Sequence, residues 1–161
     1  TDGQKLTLGD ETVTIIQTPG HTLGTLSFLF PVKDHGKTLT VAYSGGMGFN
    51  FPRSKARFDT YINSAEKFAA AANAAGASIV FSNHSMYDQA WLRSQVARKP
   101  GEPSPFIVGS SSALYCFSYF LFVFSDSSSV ILIGKIWAFL RGKIAGRKAT
   151  GCHPSAQQQS Q

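Results

Sequence analysis

The apolar positions of this chain follow two different periods, and the change between them divides it. Residues 5–8 and 12–17 mix Leu, Val and Ile with Thr, the composition of short strands, and Gly9-Asp10 between them is a hairpin-type turn. Pro19-Gly20 ends the second strand. Residues 25–30 make a third, and Asp34-His35-Gly36 turns the chain into a fourth at 38–43. Gly45, Gly46 and Gly48 then form a loop where backbone can approach closely or adopt positive φ. From Asp59 the spacing becomes helical. Tyr61, Ala65, Phe68, Ala72 and Ala75 recur at steps of four and three, with Asp59 as N-cap and Gly76 as stop. Residues 78–82 read as a short buried strand. A second helix is expected over 88–98, with Leu92 and Val96 facing inward and Pro100 forbidding continuation. Strands first, then helix, strand and helix, fit an α/β fold: a sheet covered by helices on one face, half of a layered sandwich.

Composition changes this picture in two places. The formal charge of +6 suggests an anionic partner, but residues 1–109 hold ten basic residues against eight acidic ones. The excess lies in the tail, around Arg141, Lys143, Arg147 and Lys148, and no basic-aromatic repeat runs through the body. Nucleic-acid binding is therefore not expected. The two cysteines, Cys116 and Cys152, are both in the tail and have no framework spacing, so they do not fix a redox compartment. The chain opens on Thr1-Asp2-Gly3-Gln4, which is expected of a processed or truncated N-terminus.

Two histidines end strands. His21 follows Pro19-Gly20 after the second strand, and His84 follows the strand at 78–82. Side chains at strand ends point to where ligand sites form in α/β sheets, and imidazole is a common zinc ligand. Spacing alone leaves open a second reading, two unrelated histidines in surface loops. His35 reads as a turn residue, and Asp88 as a helix cap in preference to a third ligand. Tyr87, Trp91 and Phe49-Asn50-Phe51 could wall a cleft, though so many aromatics more often fill a core.

Pro19-Gly20-His21-Thr22-Leu23-Gly24-Thr25 resembles the Pro-Gly-His-Thr-x-Gly signature of the metallo-β-lactamase superfamily. The Phe28-Leu29-Phe30 strand, Val41-Ala42-Tyr43 entering a Gly-rich loop, the long helix and the strand before His84 follow in the superfamily's order. Gly101-Glu102-Pro103-Ser104-Pro105-Phe106-Ile107 is similar to a segment of the third subclass, which uses no cysteine ligand. The resemblance covers residues 5–109. It implies the C-terminal half of an αββα sandwich, with a mostly antiparallel sheet and covering helices. It also implies a two-zinc hydrolase acting on a small-molecule substrate, in which activated water attacks an amide or ester carbonyl. His21 would be the third histidine of the first zinc site and His84 the histidine of the second.

The sequence departs from that pattern. The superfamily's remaining ligands come from a His-x-His-x-Asp-His run, whereas the four histidines here stand far apart at 21, 35, 84 and 153. A catalytic zinc needs about three protein ligands and an open position. The chain is thus expected to bind zinc weakly or not at all, and to be inactive alone. The alternative is a binding or interaction module without metal. In the loop Ser44-Gly45-Gly46-Met47-Gly48, glycines stand where the third subclass offers serines that help hold a substrate carboxylate, and Ser44 is one step off, which puts a β-lactam substrate in doubt. A half-sandwich would further leave Val13, Ile15, Phe28 and Phe30 without the second sheet.

Composition shifts again at Ser110. Residues 110–161 read as a non-homologous tail, apolar from Leu114 to Phe124, then basic and disordered, with His153 read as part of that disorder and residues 155–161 Gln/Ser-rich. Residues 113–133 have the length of a membrane span, but Asp126 inside it would cost about 2.5–3.5 kcal/mol.

Overall fold

Tight turns and period-two alternation make the first part of the chain a meander. The computed structural model describes residues 1–48, 52 and 54–109. In it β1 (Lys5–Leu8), β2 (Glu11–Gln17), β3 (Leu26–Asp34) and β4 (Lys37–Ser44) each pair antiparallel with the next. Helix α1 (Lys55–Ala74) carries the chain back, and β5 (Ile79–Ser82) joins β4 in parallel. The result is one five-stranded sheet in the order β1-β2-β3-β4-β5.

Local chemistry explains the connections. His35 and Gly36 both have positive φ, 49° and 78°, the twist that lets a two-residue turn close Asp34 onto Lys37. β3 runs four residues beyond its expected end and through Pro31. Its pairing with β2 stops at Leu29, so past that point β3 is an edge on that side, where a proline is tolerated. α1 ends at a left-handed Gly76 (φ 64°). Gly76 N–H bonds to Asn73 O at 3.0 Å and Ala77 N–H to Ala72 O at 2.9 Å, which satisfies two terminal carbonyls.

One sheet face sends Ile16, Leu29, Ala42 and Val80 against Phe68, Ala69 and Ala72 of α1, with Ala77 below and Val108 packed alongside. On the other face the registers align Ile15, Phe28, Tyr43 and Phe81 in a single row. Phe28 and Tyr43 lie 5.9 Å apart by ring centroids, and Phe81 meets Phe106 at 5.1 Å. Val13, Ile15, Phe28 and Phe30 are half-buried there. Ile107 bridges Ile79, so the last described residues lie along β5.

Several expectations need correction. α1 starts earlier than Asp59: Ser54 is its N-cap, accepting Arg57 N–H at 3.4 Å, and Asp59 instead pairs with Lys55 at 2.6 Å. The single helix over 88–98 is two short ones, α2 (Ser85–Asp88) and α3 (Ala90–Ser94), broken where Gln89 adopts a left-handed φ of 58°. Leu92 and Val96 are 50% and 55% exposed and Trp91 66%, so none of the three is core. Arg93 faces inward in their place, donating to Asp88 O at 3.2 Å and Pro105 O at 2.9 Å. Burial holds this guanidinium below its ordinary pKa, against the pull of Asp88. The tail 110–161, Phe49-Asn50-Phe51 and the side chain of Tyr87 lie outside the described residues. Among the described residues no helix is long and apolar enough to cross a membrane.

Candidate functional site

Strand directions bring the candidate residues to one end of the sheet. β2 and β4 both run opposite to β3, and β5 runs with β4, so the C-terminal ends of β2, β4 and β5 share an edge. His21 leaves β2 there, the glycine loop leaves β4 and His84 leaves β5. β2 and β5 are separated by three strand spacings, or about 14 Å, with the glycine loop between them.

The turn bearing His21 is fixed by its own hydroxyls. Thr18 N–H bonds to Thr25 O at 2.9 Å, continuing the β2–β3 pairing. Thr25 Oγ1 accepts Thr22 N–H at 2.9 Å and lies 3.0 Å from Thr22 Oγ1. Beneath it, the Ser27 hydroxyl is 2.8 Å from Thr18 Oγ1 and accepts Gly45 N–H at 3.3 Å. These contacts tie the ends of β2, β3 and β4 together without leaving a buried hydroxyl unpaired.

The imidazole is oriented by the glycine loop. His21 Nδ1 lies 3.0 Å from Gly48 O, and a carbonyl can only accept, so Nδ1 carries the proton. In the neutral ring Nε2 then keeps its lone pair, the arrangement by which a ligating histidine is held through its other nitrogen. The loop reaches His21 because it has no side chains in the way. A Cβ on Gly46 would sit 2.5 Å from His21 Cβ, and one on Gly45 would sit 1.6 Å from Leu26 O. The close approach expected of this loop is observed at both positions.

His84 is exposed and serves as the N-cap residue of α2. Its backbone is held by Ser82, whose Oγ accepts His84 N–H at 3.2 Å and donates to His84 O at 2.8 Å. Asp88 is buried and committed: Oδ2 accepts Ser82 N–H at 2.7 Å and Oδ1 accepts Ala90 N–H at 2.8 Å. The expected N-cap role needs correction: Gln89 is the N-cap of α3, and Asp88 is the last residue of α2, its Oδ1 taking the first amide of α3. Asp88→Ala leaves two half-buried N–H groups without these partners and should cost about 1–3 kcal/mol, read as a lower melting temperature. An unchanged melting temperature would show that water replaces both bonds.

His35 sits in the β3–β4 turn, with Nε2 2.9 Å from Arg98 and the sheet between it and the other two histidines' edge. Among the described residues no group of three His, Cys, Asp or Glu could hold a metal ion. The described side chains therefore do not complete a zinc site. Sequence reasoning missed Ser64, whose hydroxyl donates to Pro19 O at 2.6 Å. A serine on a helix gives no periodic signal that would single it out.

No protein-family model matches the chain, and no curated protein does. Solved structures do. BJP-1, a subclass B3 metallo-β-lactamase of Bradyrhizobium japonicum, matches with a TM-score of 0.58 and 25% identity, over 87% of this chain and 51% of that one. MEM-A1, a subclass B3 metallo-β-lactamase isolated from a soil metagenome library, matches at 0.56 and 22%, over 89% and 52%. LRA-12, a class B3 di-zinc metallo-β-lactamase from an Alaskan soil metagenome, matches at 0.50 and 21%, over 78% and 49%. The chain spans about half the length of these solved structures.

Proposed function

We propose, on the premise that this chain has the fold of half a metallo-β-lactamase domain, that it is the C-terminal half of a zinc-dependent hydrolase. Residues 1–109 form the half-domain and 110–161 an appended tail. His21 and His84 each supply one ligand to a different zinc of a two-zinc centre. The chemistry of the whole enzyme is hydrolysis of an amide or ester in a small molecule, with zinc lowering the pKa of the attacking water. The remaining ligands of the full-length relative, its His-x-His-x-Asp-His run, are not in this sequence, and on this reading the chain alone is inactive.

The observation that carries this reading is the His21–Gly48 hydrogen bond, which leaves Nε2 as a ligand-ready nitrogen at the sheet edge that His84 also reaches. A second reading, a binding module without metal, draws on the absence of a His-x-His-x-Asp-His run from the sequence.

Titrating the purified chain with zinc separates the two. On the leading reading, weak binding is seen and His21→Ala weakens it by about tenfold or more, since even an outer-shell partner of a ligand is worth 10–100-fold. No substantial zinc-dependent hydrolysis of β-lactams or simple esters accompanies it. Binding indifferent to both His21→Ala and His84→Ala would favour the metal-free module. Turnover abolished by His21→Ala would show that other residues of this chain complete the site.

A further inference from the structure

One edge of α1 follows the chain as it leaves β2. Lys67 Nζ donates to Gln17 O at 2.9 Å, Ser64 Oγ donates to Pro19 O at 2.6 Å, and the ring of Tyr61 lies against Gly20. Positions 61, 64 and 67 are three residues apart and so share a helix edge. Helix and strand exit run in opposite directions, contact by contact, up to the residue before His21. Lys67 is also bonded to Asp2 Oδ2 at 2.5 Å, which fixes the lower end of this edge.

Tyr61 connects the two halves of the His21 setting. A Cβ on Gly20 would come within 2.5 Å of Tyr61 Cδ2 and 3.0 Å of its Cα, so turn and helix touch at van der Waals limits. The same side chain donates from its hydroxyl to Gly46 O at 3.4 Å. Gly46 in turn abuts His21 Cβ, and Gly48, two residues on, accepts from His21 Nδ1. The helix therefore holds the turn that carries the imidazole and also the loop that accepts its hydrogen bond.

We propose that Ser64 and Tyr61 are positioning residues for His21: they set the distance between its turn and the glycine loop, and so select the Nδ1–H tautomer that leaves Nε2 free to bind a metal. The positioning stands on these contacts; only its consequence for metal binding rests on the reading of His21 as a zinc ligand. The hydroxyl of Ser64 acts on Pro19, and the ring of Tyr61, more than its long hydroxyl contact, spaces Gly20 from Gly46.

The test uses the full chain labelled with 15N, free of metal, at a pH where the imidazoles are neutral. Nitrogen shifts report which ring nitrogen of His21 carries the proton. The wild-type chain is expected to hold it on Nδ1. Ser64→Ala and Tyr61→Ala should each lower the Nδ1–H to Nε2–H ratio by about three- to tenfold, the worth of one net hydrogen bond. Tyr61→Phe, which keeps the ring, should retain most of the wild-type ratio, and Thr60→Ala on the exposed side of α1 should leave it unchanged. An unaltered ratio in Ser64→Ala with helix content intact overturns the proposal, as does a wild-type proton on Nε2 or an equal shift in Thr60→Ala. Should Tyr61→Ala fail to fold, Ser64→Ala decides alone. A zinc titration of the same samples keeps the two readings apart. A ratio that moves while zinc fails to bind sinks the zinc ligand but not the helix's control of the ring.

Discussion

Phe68→Ala should lower the unfolding free energy by about 3–5 kcal/mol, the largest loss expected from any single truncation in the described residues. Phe68 is 2% exposed and is the largest fully buried side chain among the described residues. It belongs to the cluster in which α1 meets Ile16 of β2, Leu29 of β3, Ala42 of β4 and Val80 of β5. Its helix-side neighbours Ala69 and Ala72, with Ala77, are too small to fill the vacancy, and Ile16, Leu29 and Val80 opposite are held in paired strands. The transfer and cavity terms therefore both contribute. For a domain of this size the loss corresponds to roughly 15–25 °C in melting temperature. A fall of only a few degrees would mean that α1 is not seated on the sheet as described.

Gly45→Ala should be nearly as damaging, at about 3 kcal/mol, for the opposite reason. The new methyl group would sit 1.6 Å from Leu26 O and 2.8 Å from Leu26 C. Both are backbone atoms and cannot rotate away, so β3 and the exit of β4 must separate. That separation also breaks the 3.3 Å bond from Gly45 N–H to the buried Ser27 hydroxyl. Denaturant unfolding gives the stability, and the His21 tautomer gives a local readout, because the displaced loop includes Gly48. Wild-type stability in this variant would mean that the loop leaves β4 by another path.

Much of the fold was legible because strands with one face on a helix must alternate. Ile16, Leu29 and Ala42 stand on the helix side, Ile15, Phe28 and Tyr43 on the other, as a period of two requires. The inner stripe of α1 was equally clear at Phe68 and Ala72. Its start was not, since the first turn, residues 55–57, is exposed and exposed turns carry no hydrophobic period. Ser54 and Asp59 are both acceptable caps, and only the structure chooses between them. The break at Gln89 was illegible for another reason. A left-handed glutamine costs local strain that the Asp88 and Arg93 hydrogen bonds offset, and those partners are visible only in three dimensions. The His21 turn was readable through its motif, and the glycine loop through Gly45, Gly46 and Gly48. The serine and tyrosine that hold them were not, because such contacts lie 15 to 45 residues away in sequence.

The parallel joining of β5 to β4 has a consequence for the order in which the molecule assembles. β1 to β4 are linked by short connections, and their pairing can proceed by zipping outward from each turn, with little loop entropy to overcome. β5 can find β4 only after some thirty residues have been looped back, at a higher entropic cost that local contacts do not repay. α1 is that loop, and it is also what presses the His21 turn into place. The same helix touches the His21 turn and delivers the strand that leads to His84, so its docking couples the ordering of the two ends of the candidate centre.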